Sequence, residues 1–250
     1  MGIFQLREQK RFLKSTQRTG KIFYFMIEKS SIFHDLLLCL PLFLWVLFVT
    51  QFLAKLVFKF ALKKGYQKDS ATYFGRKFIH IFASGLVAIL IPFFFKEPFL
   101  PFLSAIILAI YTFLPHKRGK IFDWFQVKEN IHEVNFCLMW GLSILIGWFF
   151  DKTFWLGVIP ALFMSFGDGI SGIVRNLKYK RRIKAWEGSL AMLFTCLLIG
   201  IKMGWAGMIS AIFATIFEKL EFLDDNISIP AISFLVLLFF FKFFPNLMKF

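Results

Sequence analysis

Four short groups of polar residues interrupt an otherwise apolar sequence, and each contains side chains able to handle phosphate or a divalent cation. Arg76-Lys77-Phe78-Ile79-His80 places two donors, Arg76 and His80, on one helical face at i, i+4 spacing. Phosphate binding is one reading of that pair; snorkelling anchors beside a packed histidine is the other. Phe163-Met164-Ser165-Phe166-Gly167-Asp168-Gly169-Ile170-Ser171-Gly172 sets a carboxylate inside an apolar run. There it costs about 2.5 to 3.5 kcal/mol on insertion scales, which favours a metal or phosphate-site role over packing. The glycines alone say less, since small residues also pack membrane helices.

Lys184-Ala185-Trp186-Glu187-Gly188-Ser189 supplies a cation, an anion, a flexible glycine and a hydroxyl at the start of a helix. These are parts of a phosphate site, and equally of a helix cap after a basic loop. Glu218, Asp224, Asp225 and Asn226 precede the last apolar run. The two adjacent carboxylates offer hard oxygen ligands for Mg²⁺, and a solvated capping turn is the competing reading.

What must position these groups is a bundle of membrane helices. The 250 residues are 58% hydrophobic, with 38 Phe and a mean hydropathy of +0.68, more apolar surface than a water-soluble domain of this size buries. Apolar runs are expected at about Leu36 to Phe58, Phe78 to Phe95, Phe99 to Leu114, Val134 to Phe150, Phe154 to Val174, Ser189 to Ile201, Trp205 to Phe217 and Ile227 to Phe244. The fold class is therefore all-α, a polytopic membrane protein with seven or eight spans, the shorter runs being tilted, re-entrant or interfacial. Residues 1–34 read as a basic amphipathic extension without the pattern of a cleavable signal, and residues 35–250 as one membrane domain without repeats or linkers.

Lys and Arg crowd three of the loops. Lys55 to Lys77, Lys117 to Lys128 and Arg175 to Lys184 are rich in them, while the intervening loops carry little beyond Lys96, Lys152 and Lys202. By the positive-inside rule the basic loops face the cytoplasm, which gathers all four polar groups on that face. The basic N-terminal segment conflicts with this if the first run crosses. A re-entrant run near Pro41, an interfacial helix over Phe52 to Lys64, or an exceptional N-terminus would each resolve the conflict.

The net charge of +15 flanks hydrophobic spans, so it points to anionic headgroups and a phosphorylated substrate rather than to nucleic acid. Cys39, Cys137 and Cys196 lie in apolar runs without a ligand pattern and read as packing residues.

From about Arg76 to Pro230 the chain resembles the CTP-dependent lipid-alcohol kinases, which include dolichol (polyprenol) kinase, phytol kinase and the CTP-dependent diacylglycerol kinase. The resemblance rests on Arg76-Lys77-x-x-His80, Gly167-Asp168, Lys184-x-x-Glu187-Gly188-Ser189, and Glu218 followed by Asp224-Asp225-Asn226-x-x-x-Pro230, in that order. The family often has Ser or Thr where this chain has Ala185, and a small residue with a later Gly where it has Ser171 and Arg175. Residues 1–60 lie outside the match.

The resemblance implies transfer of the γ-phosphate of CTP to the hydroxyl of a membrane lipid alcohol such as a polyprenol, geranylgeraniol, phytol or diacylglycerol. It implies Mg²⁺ held by Asp168, Asp224 and Asp225, with Arg76, Lys77, Gly167, Lys184, Gly188 and Ser189 around the nucleotide phosphates. His80, Asp168 and Glu187 take the catalytic roles, His80 or Glu187 orienting or deprotonating the hydroxyl. The related phosphatidate cytidylyltransferases carry a long acidic, Gly-rich signature near the C-terminus that is missing here. A transporter would show charged residues near mid-membrane from several helices and an inverted repeat, and no repeat is visible.

Overall fold

The structure, a computed structural model, describes residues 32–181, 183–220 and 224–250. Most of the expected N-terminal extension, residues 1–31, lies outside the described residues. Seven continuous helical stretches are long and apolar enough to cross a membrane, and no strand occurs among the described residues. They are α1 (Ile32–Lys63), α2 (Lys68–Phe94), α3 (Phe99–Lys117), α4 (His132–Phe150), α5 (Trp155–Tyr179), the stretch Trp186–Glu218, and a last helix, Asp225–Phe243.

The stretch Trp186–Glu218 is folded in two. A 3₁₀ turn at Ile201–Met203 ends α6 (Trp186–Gly200), and Gly204, with φ 59° and ψ −147°, reverses the chain into α7 (Gly204–Glu218). Those angles strain an L side chain, so glycine is required there. The two arms pack together, and a Cβ on Gly200 would come within 2.6 Å of the Gly207 carbonyl. The last helix becomes α8 (Asp225–Phe243), and the eight rods coincide with the eight apolar runs read from sequence.

The first run is one continuous helix, so a re-entrant turn at Pro41 is excluded. Its 32 residues rise about 48 Å, beyond the roughly 30 Å of a hydrocarbon core. The excess is its basic C-terminal end, where Lys55 lies over the Trp124 ring and Trp124 Nε1 donates to the Thr50 carbonyl at 2.8 Å. At the other end, Asp35 accepts from the backbone N–H groups of Lys96 and Glu97. α1 therefore runs from the face bearing the α2–α3 connection to the face bearing the basic loops.

α5 is the central helix. In its most apolar window 78% of residues are buried, against 11% in α1 at the periphery. Small residues allow this, because a side chain on Gly157 would meet the α4 backbone at Ser143 and Ile144. Phe93, Phe194 and Leu235, each at least 60% exposed, lie on the outside, as expected for lipid-facing positions.

Two π-helical turns lie side by side at the core of the bundle, His80–Gly85 in α2 and Phe163–Gly167 in α5. Ser84 Oγ and Ser165 Oγ are 2.9 Å apart across them. Such turns widen a helix and re-aim the next side chain, which on α5 is Asp168.

Candidate functional site

Asp168 is buried and opens the helical segment that follows the π turn. Lys77, one helix away on α2, donates to Asp168 Oδ2 at 2.5 Å, and His80 Nδ1 lies 3.3 Å from the same oxygen without hydrogen-bond alignment. The His80 ring rests against Phe136 of α4, their centroids 4.1 Å apart. Lys77 reaches Asp168 by passing Gly172, where a Cβ would lie 2.5 Å from Lys77 Cε and 2.7 Å from the Tyr73 hydroxyl. The glycine following Asp168 by one turn thus makes room for the cation.

Two turns beyond Asp168 on α5 is Arg175. Its guanidinium grips Glu218 at the end of α7 with two bonds, Nη1 to Oε1 at 2.5 Å and Nη2 to Oε2 at 2.9 Å. It also donates through Nε to the Ala185 carbonyl and through Nη2 to Ser189 Oγ, both at 3.0 Å. Gly188 lies directly against this side chain. Because one residue holds the start of α6 and the end of α7, both ends of the hairpin come to the same face as the basic loops.

Lys184 completes the group from the α5–α6 loop. Its Nζ lies 2.7 Å from both oxygens of Asp225 at the start of α8 and 3.3 Å from Glu218 Oε1, and it also donates to the Glu218 carbonyl. Burial acts to lower the Lys184 pKa, but Glu218 and Asp225 outweigh it and hold the ammonium above its ordinary value.

One oxygen from each of Asp168, Glu218 and Asp225 lies within 4.8 Å of the others. Three carboxylates thus meet three cations, Lys77, Arg175 and Lys184, contributed by α2, α5, α7, α8 and the α5–α6 loop. Paired charges in apolar surroundings are tolerable where lone ones are not. The donor set is oxygen-only and fits Mg²⁺. The ammonium groups of Lys77 and Lys184 stand on oxygens of Asp168 and Asp225 that such an ion would take.

The structure brings together Lys77, His80, Asp168, Lys184, Gly188, Ser189 and Asp225 among the residues expected from sequence. It places Asp224, Glu187 and Gly167 elsewhere, and Arg76 lines an apolar groove beside the charged group. Asp224 faces α4, where its Oδ2 accepts from Asn135 at 2.7 Å and pairs with His132 Nδ1 at 2.9 Å, while Oδ1 caps α8 through the Asn226 N–H. Burial acts to raise its pKa, but His132 and Asn135 prevail and hold it below the usual value. Glu187 pairs with Lys178 and accepts from the Tyr179 hydroxyl at 2.7 Å, at the outer edge of the α5–α6 loop. Gly167 packs against Met192 and Cys196 of α6.

Glu218 stands where Asp224 was expected among the carboxylates, and Arg175, read from sequence as a departure, organises it. A signal for Arg175 existed: a charge seven residues after Asp168, on the same face of an apolar helix.

This groove is bounded by α1, α2, α3 and α4 and is partly open to the outside. It extends from Phe95 and Pro101 near the α2–α3 connection to Arg76, His80 and Glu133 at the basic face. His80 and Phe95, fifteen positions apart, are separated by about 22 Å of rise, a large part of a bilayer's hydrocarbon thickness. No protein-family profile, curated protein or solved structure matches the chain.

Proposed function

We propose that the protein is a membrane-embedded kinase that transfers the γ-phosphate of CTP to the hydroxyl of a lipid alcohol. The observation that carries this reading is the position of His80: it lines the apolar groove and approaches Asp168 within the charged group. A lipid entering the groove from the bilayer would bring its head to the cluster that a nucleotide triphosphate would reach from water. The donor CTP rests on the resemblance of the four motifs, and the cytoplasmic side on the positive-inside pattern.

Asp168, Glu218 and Asp225 would hold Mg²⁺, which when bound neutralises phosphate charge and fixes phosphate geometry. Lys77 and Lys184 supply positive charge to the transferring phosphoryl group, and Arg175 keeps Glu218 in place. His80 orients the lipid hydroxyl. Catalysis is then mainly positioning and electrostatic stabilisation in a site shielded from water.

A phosphatidate cytidylyltransferase would use the same nucleotide but attack a different phosphorus, and the label decides between them. Purified protein incubated with Mg²⁺, a panel of lipid alcohols and γ-labelled CTP should yield labelled lipid monophosphate, while α-label should remain in CDP. Transfer of α-label to a lipid phosphate with release of pyrophosphate would overturn the kinase reading.

A further inference from the structure

We infer that Glu133 is the residue that recognises the hydroxyl of a lipid alcohol lying in the apolar groove. Glu133 opens the second half of the bundle at the first turn of α4 and is 6% exposed. Its two oxygens have different surroundings. Oε1 is held by His116 Nε2 and by Gln126 Nε2 at 2.6 Å. Gln126 is itself fixed, donating to the Thr112 carbonyl at 2.8 Å and accepting from the Phe122 N–H at 2.9 Å.

Oε2 is buried and has no hydrogen-bond partner among the described residues, and Glu133 lines the groove. A buried carboxylate oxygen without a donor is costly, so a donor that reaches it from the groove gains a bond that nothing else supplies. Fastening α3 and the α3–α4 loop to α4 requires only the bonded oxygen. The other is an acceptor at the head end of the groove, which it shares with Arg76 and His80.

The occupant that matches is a lipid with a free hydroxyl: its tail takes the apolar walls and its O–H donates to Glu133 Oε2. A carboxylate or phosphate head would be repelled by the glutamate, and an ether or ester head would bring no proton. Glu133 thereby favours an alcohol over its ether or ester. His116 and Gln126 are positioning residues, since they act by keeping Oε1 engaged and Oε2 turned inward.

The inference rests on the lipid-alcohol reading of the groove but needs no nucleotide, so it is tested by binding alone. Full-length protein in nanodiscs is photolabelled with a tail-diazirine analogue of geranylgeraniol, without CTP, and unlabelled geranylgeraniol or its methyl ether is added as competitor. The alcohol should compete about tenfold or more better than the ether, the value of a hydrogen bond to a charged acceptor. Glu133→Gln should bring the two competitors to near equality. Ser104→Phe, which fills the tail end of the groove without touching Glu133, should abolish labelling by the probe.

Equal competition by alcohol and ether on the native protein overturns the inference, as does unchanged discrimination in Glu133→Gln or unchanged labelling in Ser104→Phe. If Glu133→Gln does not fold, the native comparison and Ser104→Phe still decide. Discrimination without phosphoryl transfer would leave the hydroxyl site standing and remove the kinase. Transfer without discrimination would do the reverse.

Discussion

Arg175 and Glu218, forty-three positions apart, meet through two parallel bonds with the carboxylate fully buried. Removing one partner leaves a charge with no access to water. Arg175→Ala should therefore destabilise the protein by about 3–5 kcal/mol, toward the lower end because Lys184 Nζ also lies 3.3 Å from Glu218. Arg175→Met combined with Glu218→Leu should recover most of the loss, since a buried pair replaced by apolar groups of similar volume is often neutral. Unfolding in detergent micelles measures both, and a double variant no more stable than the single would show that the contacts of Arg175 to Ala185 and Ser189 dominate.

The five carboxylates that sequence brings to this region separate into two sets. Asp168, Glu218 and Asp225 converge, whereas Asp224 and Glu187 are engaged elsewhere. Asp168→Asn, Glu218→Gln and Asp225→Asn should each lower phosphoryl transfer by about 10²–10³ or more, while Asp224→Asn and Glu187→Gln should stay within about tenfold of the parent. Rates are compared per inserted, folded molecule. A loss at Asp224 equal to that at Asp225 would place the cation differently.

The helices were legible because lipid as solvent imposes one demand, long apolar runs broken by charge, and all eight appear in the sequence. Asp168 and Lys184 were legible for a related reason, because charge within or beside an apolar run is costly and calls for a partner. Choosing between Asp224 and Asp225 was not possible from sequence. Asp224 is the extended N-cap and Asp225 the first helical residue, so the two point apart, and only the packing of α8 against α4 decides which one meets Lys184. The grip of Arg175 on Glu218 depends on the Gly204 reversal, which brings the end of α7 back beside the start of α6. Glu133 was hidden because its loop partner Gln126 and its α3 partner His116 belong to no motif.

The bundle requires the α1–α2, α3–α4, α5–α6 and α7–α8 connections to share one face, with the α2–α3, α4–α5 and α6–α7 connections on the other. The first set carries Lys64, Lys120, Arg181 and Lys219, and the second Lys96, Lys152 and Lys202. From the wider excess of Lys and Arg in and beside the first set, over Lys55 to Lys77, Lys117 to Lys128 and Arg175 to Lys184, we propose that this set faces the cytoplasm. In protein with Cys39, Cys137 and Cys196 replaced by Ser or Ala, single cysteines at positions 120, 181 and 219 should react with a membrane-impermeant maleimide only from the cytoplasmic side of sealed vesicles. Cysteines at positions 96, 152 and 202 should react only from the other. The decisive pair is 181 and 219, which flank the hairpin: Arg175 holds both of its ends, so the two must report the same compartment. Labelling of 181 and 219 from opposite sides would mean that Trp186–Glu218 crosses once, and would separate Lys184 and Asp168 from Glu218.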